Sequence, residues 1–327
     1  MMKRVEEIIQ SVSGSLKTMF YLLICVGFTQ CIRVPTAKIS VSDINPLEEV
    51  SVTHSEELGS VLSMHSLDDK YMVSFYRDTL CLGVLDSSMN LISRFGRKGR
   101  GPMELLAPRL TGQYLCDDEG YKVLVFERFM NQMLTYSLGK DGNVRNVVAD
   151  SLPRHYGDMR IAYNLQDYYW GIIDNQNQDV FMFDKNTGGM SLYDVPDRRQ
   201  RRDYQSIVTA HPDKAAFALA YYSLPRIDII GADGKCQQII QIDELAGATL
   251  GNDSADCFLD ICSSEKYIYA LLDNNERNDL LLCLDWEGNY RTAFSICNTS
   301  TLCLNEDKLL CLDYDENGLV ITEYALI

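Results

Sequence analysis

The chain has 327 residues, 46% of them hydrophobic, enough for one large all-β domain or two ordinary ones. A formal net charge of −16 argues against general affinity for DNA or RNA, whose polyanionic backbones select basic surfaces, but it leaves room for a local anion site.

At the N-terminus, Lys3, Arg4 and Lys17 precede the apolar run Met19 to Phe28. That run falls short of the roughly 20 apolar residues a bilayer span needs, and it fits the core of a signal peptide. Phe28-Thr29-Gln30-Cys31 then sits where a bacterial lipoprotein signal carries its lipidated cysteine. Residues 1–30 are therefore expected to be a lipoprotein-like signal peptide cleaved before Cys31. Gln30, where Gly, Ala or Ser is usual, and the acidic Glu6 and Glu7 keep a plain secretory signal or an uncleaved anchor as alternatives. Residues 31–57 read as an N-terminal segment, and residues 58–327 as the folded domain.

From about residue 58 the chain consists of short apolar strands between polar turns, so internal repeats are the first thing to seek. One turn type recurs six times, at Asp68-Asp69, Asp117-Asp118-Glu119-Gly120, Gln166-Asp167, Pro212-Asp213, Ser264-Glu265 and Glu306-Asp307, each time ahead of an apolar or aromatic strand. A second type, at Asp86, Gly139, Asp184, Gly231 and Asp285, is rich in Asp, Asn and Gly, which tolerate tight hairpin geometry. These five positions lie between 45 and 54 residues apart, the length of a four-stranded antiparallel unit. Such a unit cannot bury both faces alone and must stack on copies of itself; radial stacking makes a β-propeller.

The sixth copy has only three strands of its own, which would leave an open edge prone to aggregation. The missing strand is expected from around Lys38–Val41 or Val50–Thr53. The sequence thus predicts an all-β fold: a six-bladed β-propeller of four-stranded antiparallel blades, its ring closed by an N-terminal strand in the last blade.

Between the first two blades, Phe95-Gly96-Arg97-Lys98-Gly99-Arg100-Gly101-Pro102-Met103-Glu104 is too rich in Gly and Pro for helix or strand, and it lacks the spacing of a nucleotide-binding P-loop. The pattern Phe-Gly-x-x-Gly-x-Gly-Pro-x-Glu resembles the signature of the TolB-like or NHL-like six-bladed propeller lipoproteins of the Bacteroidetes type. That resemblance spans roughly Lys38 to the C-terminus and implies a propeller fold and a cell-envelope address rather than an activity.

In such blades the turns of the first and third hairpins share one face, and the middle hairpins and blade-to-blade crossovers share the other. The first face collects acids. The second collects most arginines, including Arg77, Arg109, Arg128, Arg226 and Arg277, mixed with acids of its own. Arginine binds carboxylate and phosphate through two parallel hydrogen bonds and stacks on aromatic rings. Candidate residues for a ligand or partner on the crossover face are Arg97, Lys98, Arg100, Arg154, His155, Arg198, Arg199, Arg201, Arg202, Tyr221 and Tyr222. The competing reading is that these arginines pair with neighbouring acids and only solvate long loops.

Other chemistry is thin. Asp313, Asp315 and Asn317 match the first half of a calcium loop, but Tyr324 stands where a bidentate Glu belongs, so a hairpin is expected there and no metal. Nine cysteines beyond Cys25 and Cys31 lie mostly inside apolar runs without zinc or redox spacing, as small buried hydrophobes would. No cofactor is expected. The expected function is a non-enzymatic, lipid-anchored envelope protein, facing the periplasm or the exterior. It would be a monomer that binds a protein or an anionic or carbohydrate-like ligand through the crossover face. The alternative is a propeller hydrolase or lyase with its site in the central channel, for which acids or His converging on the innermost strands would speak.

Overall fold

The computed structural model describes residues 34–55, 58–76, 78–152, 159–165, 167–173, 180–193, 206–222, 224–231, 234–245, 248–249, 257–273 and 279–326. Thr36–Ile327 forms a compact unit.

An N-terminal run supplies β1 (Thr36–Val41), β2 (Ile44–Pro46) and β3 (Glu49–Ser55). Blade one is β4 (Val61–Leu67), β5 (Lys70–Phe75), β6 (Leu80–Leu85) and β7 (Leu91–Arg97). Blade two is β8 (Pro108–Asp117), β9 (Gly120–Glu127), β10 (Gln132–Gly139) and β11 (Val144–Ser151). Blade three is β12 (Met159–Leu165), β13 (Tyr168–Ile173), β14 (Val180–Asp184) and β15 (Met190–Tyr193). Blade four is β16 (Ser206–Ala210), β17 (Phe217–Tyr221), β18 (Arg226–Ile230) and β19 (Cys236–Leu245), with the short β20 (Ala248–Thr249) paired to β19. Blade five is β21 (Phe258–Ser263), β22 (Tyr267–Leu272), β23 (Asp279–Asp285) and β24 (Tyr290–Ile296). Blade six has three strands of its own, β25 (Thr301–Asn305), β26 (Lys308–Asp315) and β27 (Gly318–Ala325).

The fourth strand of blade six is β3, antiparallel to β27 from Leu319↔Ser55 to Tyr324↔Glu49. Of the two segments the sequence offered for closure, the one around Val50–Thr53 closes the ring. The segment around Lys38–Val41 has another place: β1 runs parallel along the outer edge of β19, and β2 lies parallel along β24. Lys38 Nζ donates to Asp243 Oδ2 at 2.8 Å, and Asn45 Nδ2 donates to Thr292 Oγ1 at 3.1 Å. The N-terminal run is therefore a strap that covers the outer edges of blades four and five before it completes blade six. It satisfies backbone groups that an edge strand would leave open.

The middle strands of each blade are apolar on both sides, as in Tyr71–Phe75, Ala218–Tyr221 and Leu280–Leu284. The core is accordingly divided into six clusters, one between each neighbouring pair of blades. The cluster that joins blade one to blade six sets Met64, Val73 and Phe75 against Leu310, Leu312 and Ile321. Facing strands sometimes come too close for a side chain: a Cβ at Gly171 of β13 would lie 1.9 Å from the Ile161 carbonyl oxygen.

The turns between third and fourth strands share one geometry. In four blades the first turn residue donates its N–H to the carbonyl four residues on: Asp86 to Asn90, Gly139 to Asn143, Gly231 to Lys235 and Asp285 to Asn289. The fourth residue of each, Met89, Gly142, Gly234 or Gly288, is left-handed. This is a three-residue hairpin loop ending in a bulge, and it explains why Asp, Asn and Gly recur. Gly142 also wedges between blades, since a Cβ there would lie 3.2 Å from Ile92 and Val84 of blade one.

With φ at +77° and no room at its α-carbon, Gly142→Ala should destabilise the protein by about 1–2 kcal/mol, measured as a lower denaturant midpoint with an unchanged slope. An unchanged midpoint would show that the turn relaxes freely.

Candidate functional site

The first strands of the blades ring the axis, with β25 beside β4, β4 beside β8, β8 beside β12, and β16 beside β21 beside β25. Each has one edge that no ladder covers. Polar side chains bridge these edges from blade to blade. Ser66 Oγ donates to Asn305 Oδ1 at 2.9 Å. Gln113 Nε2 donates to the Asn164 carbonyl, and Gln113 Oε1 accepts from its N–H, at 3.0 and 2.7 Å. The Tyr163 hydroxyl donates to the Val208 carbonyl at 3.2 Å, and Ser263 Oγ to that of Ala210 at 2.9 Å. Asp260 completes the belt, its two carboxylate oxygens accepting from Ile261 N at 2.8 Å and Leu302 N at 2.7 Å.

Inside this belt is an axial cavity of about 1360 Å³. Its two mouths differ in charge. Strand polarity places the first hairpin turns at one mouth, and Asp68, Asp213, Glu265 and Glu306 line it there, with Lys214. At the crossover mouth lie Arg109 and Arg160, the second residues of β8 and β12, and Tyr222, which follows β17. Arg160 Nη2 donates to the Tyr222 hydroxyl at 3.2 Å, and its guanidinium carbon stands 5.5 Å from the centre of that ring. Surrounding protein, and then the charges of Arg160 and Arg128, push the Arg109 guanidinium below its ordinary pKa.

Two wall groups titrate away from their ordinary values. Burial pushes Asp260 up to about 6, against the two amide hydrogen bonds that favour its charged form. Burial pushes the His65 imidazole down to about 4. His65 has room because Gly112 faces it: a Cβ there would lie 3.0 Å from Nδ1. Among the described residues no group of three or more His, Cys, Asp or Glu could hold a metal ion. The nine described cysteines are free thiols, five of them buried; Cys116 is exposed.

The glycine-rich loop after blade one is a built structure. Gly96, with φ at +72°, packs over Leu105, which is fully buried. The Gly101 N–H donates to Glu104 Oε2 at 2.8 Å, and a Cβ at Gly99 would lie 1.9 Å from that same oxygen. The glycines thus fold the loop around the Glu104 carboxylate. The next segment is held by Glu127, fully buried, which accepts from the amides of Leu106, Ala107 and Phe129.

The candidates from sequence divide accordingly. Arg97 is exposed, with Nε 3.8 Å from Glu104 Oε1, and none of Arg97, Lys98 or Arg100 lines the cavity. Tyr221 is 2% exposed and donates to Asp228 Oδ2 at 2.7 Å, in a buried trio with Arg226, whose Nε and Nη2 reach both oxygens of the same carboxylate. Its neighbour Tyr222 is the one that reaches the cavity mouth. Asp313, Asp315 and Asn317 lie at a two-residue hairpin in which Asp315 Oδ1 accepts from Asn317 N at 2.7 Å. Cys31, Arg154, His155, Arg198, Arg199, Arg201 and Arg202 fall outside the described residues, as do Arg77 and Arg277. Sequence reasoning missed Arg160, although the repeat carried the signal: Pro108-Arg109-Leu110 and Met159-Arg160-Ile161 put arginine at the same position of the innermost strand in blades two and three.

No protein-family model matches the chain, and no curated protein matches it. Solved structures share its fold. A DUF4221-family member from Bacteroides vulgatus is 12% identical, with a TM-score of 0.51 over 87% of this chain and 96% of that one. A Bacteroides fragilis protein named as exported is 12% identical, with a TM-score of 0.52 over 89% of this chain and 99% of that one. A structural-genomics protein of unknown function from Bacteroides thetaiotaomicron is 10% identical, with a TM-score of 0.52 over 88% of this chain and 74% of that one. At such identities the likeness is one of fold.

The wall groups give a pH dependence with a definite sign. His65 is held neutral when folded, so the unfolded chain binds the extra proton between about pH 6.5 and 4, and the stability His65 contributes is lost as pH falls through that window. Asp260 acts in the opposite sense, since its folded form binds the extra proton between about pH 4 and 6. Replacing His65 by Gln should therefore flatten the fall in Tm on acidification from pH 7 to pH 4 in thermal melts. Equal slopes for variant and native protein would contradict a neutral imidazole in the cavity wall.

Proposed function

We propose that this chain is a non-enzymatic binding protein of the bacterial cell envelope, a TolB-like or NHL-like propeller lipoprotein anchored through Cys31. On this reading it binds a small ligand or a partner protein at the crossover face. The observation that carries the reading is the axial cavity itself. Several of its polar wall groups are engaged in joining blades, while Arg109, Arg160 and Tyr222 line its crossover mouth. The cavity is of a size that takes a small molecule. Export is supported by the signal-like start, Met19 to Cys31, and by the Bacteroides fragilis neighbour named as exported.

A second reading, a propeller hydrolase or lyase, draws on Asp260 and His65, two shifted groups on the innermost strands. Against it, both Asp260 oxygens already serve backbone amides, and the two residues come from blades five and one with no contact between them among the described interactions.

Two measurements test the proposal. Cys31→Ser should abolish incorporation of labelled fatty acid and shift the protein from the membrane pellet to the soluble fraction. Labelling that survives the substitution would rule out this anchor. Native mass spectrometry of the full chain, after incubation with an envelope extract, should show a mass increment from a bound small molecule or a captured partner. A bare chain after exposure to the whole extract would count against binding.

A further inference from the structure

Several arginines of this propeller are paired with carboxylates. Arg226 meets Asp228 at 2.6 Å, Arg94 meets Asp78 at 2.7 Å, and Arg291 pairs with Asp285 at 2.5 Å. Arg109 and Arg160, which line the cavity and sense each other's charge, are not paired in this way among the described residues. They occupy equivalent positions in successive blades and so meet side by side at the crossover mouth. The contacts of Arg160 are the hydroxyl and ring of Tyr222, and neither arginine has a carboxylate partner among the described residues. Arg128, from the middle hairpin of blade two, adds a third charge to theirs. Like charges gathered against protein walls repel, and the arrangement disfavours folding unless an anion offsets it.

We infer that the crossover mouth is an oxyanion site for a small molecule with a dianionic head group, a phosphate monoester or a dicarboxylate. This rests on the binding reading above and gives it a ligand class. The head group sits between the guanidinium groups of Arg109 and Arg160, whose forked donors suit paired oxygens. The Tyr222 hydroxyl, which accepts from Arg160, keeps its own proton to donate. The body of the ligand lies along the axial cavity. Two like cations favour a double negative charge over a single one. The acids at the opposite mouth, Asp68, Asp213, Glu265 and Glu306, repel the same ligand there, so the field along the axis directs it to one end.

The test titrates the full chain calorimetrically with inorganic phosphate, with succinate, and with chloride at matched ionic strength. Phosphate or succinate should bind and raise Tm where chloride does not, and the stronger of the two tells phosphomonoester from dicarboxylate. Arg109→Gln and Arg160→Gln should each weaken binding about tenfold or more, the loss of a charge-assisted hydrogen bond. Arg97→Gln and Lys98→Gln, on the neighbouring loop, should leave it unchanged. Without ligand and at low salt, Arg109→Gln should melt no lower than the native chain, because it relieves repulsion. If it melts several degrees lower, the guanidinium is a structural partner and the inference falls. Absence of phosphate and succinate binding by the native chain also overturns it. A ligand from the envelope extract that binds both Gln variants as well as the native chain overturns this site and leaves the binding reading standing.

Discussion

The constraint on which this molecule depends is that a four-stranded sheet with two apolar faces has nowhere to put them. Each blade here is apolar on both sides of its middle strands, and each interface between neighbours forms its own cluster. A row of such sheets would end in two greasy faces; a ring has none. Closure is therefore a requirement of solubility, and it explains why an N-terminal strand completes the sixth blade.

A ring solves the faces but creates a second problem at its centre, where six strand edges meet no partner. The belt of Ser66, Gln113, Tyr163, Ser263, Asp260 and Asn305 answers it by sending side chains to the backbone or side chains of the next blade. Much of the polarity of the cavity wall is thereby architectural. Asp260 illustrates the point: its shifted carboxyl would mark it as reactive, yet its oxygens hold blade five to blade six. At the crossover mouth Arg160 of blade three also reaches Tyr222 of blade four, yet neither it nor Arg109 has a carboxylate partner among the described residues. That lack of a counter-charge, and not polarity alone, is what sets the candidate site apart from the scaffold.

The architecture was legible because each blade repeats a chemically demanding turn. Glycine takes the left-handed fourth place of those hairpins in three of the four blades, and Asp86 and Asp285 cap their own backbone from the first place. The repeat thus announced itself without any similarity between strands. The site was less legible. Tyr221 and Tyr222 are adjacent in sequence, but a strand sends neighbours to opposite sides, so one lies in the core and the other at the cavity. Arg97, Lys98 and Arg100 drew attention by their density, whereas the loop they occupy is shaped around Glu104. Arg109 and Arg160 lie some 50 residues apart in sequence, and only the rotation from blade to blade makes them neighbours. The sequence predicts one closing strand; the pairing of the strap along two further blades depends on the spacing of outer edges, which no local pattern encodes.

The strap also orders events in time. Lys38 finds its partner 205 residues later in the chain, and Asn45 finds its own 247 residues later. While the chain emerges from its N-terminus, the strap precedes every blade and yet is among the last to pair, since its partners lie in blades four to six. Polar and charged residues along it, such as Lys38, Ser40, Asp43, Glu48 and Glu49, keep that waiting stretch from sticking to the wrong edge. Blades one to three can stack as they arrive, since their strands are contiguous, and the ring locks only when β27 has been made. The molecule thus ties ring closure to completeness: a chain cut short before residue 318 lacks β27, the strand along which its own N-terminal β3 pairs.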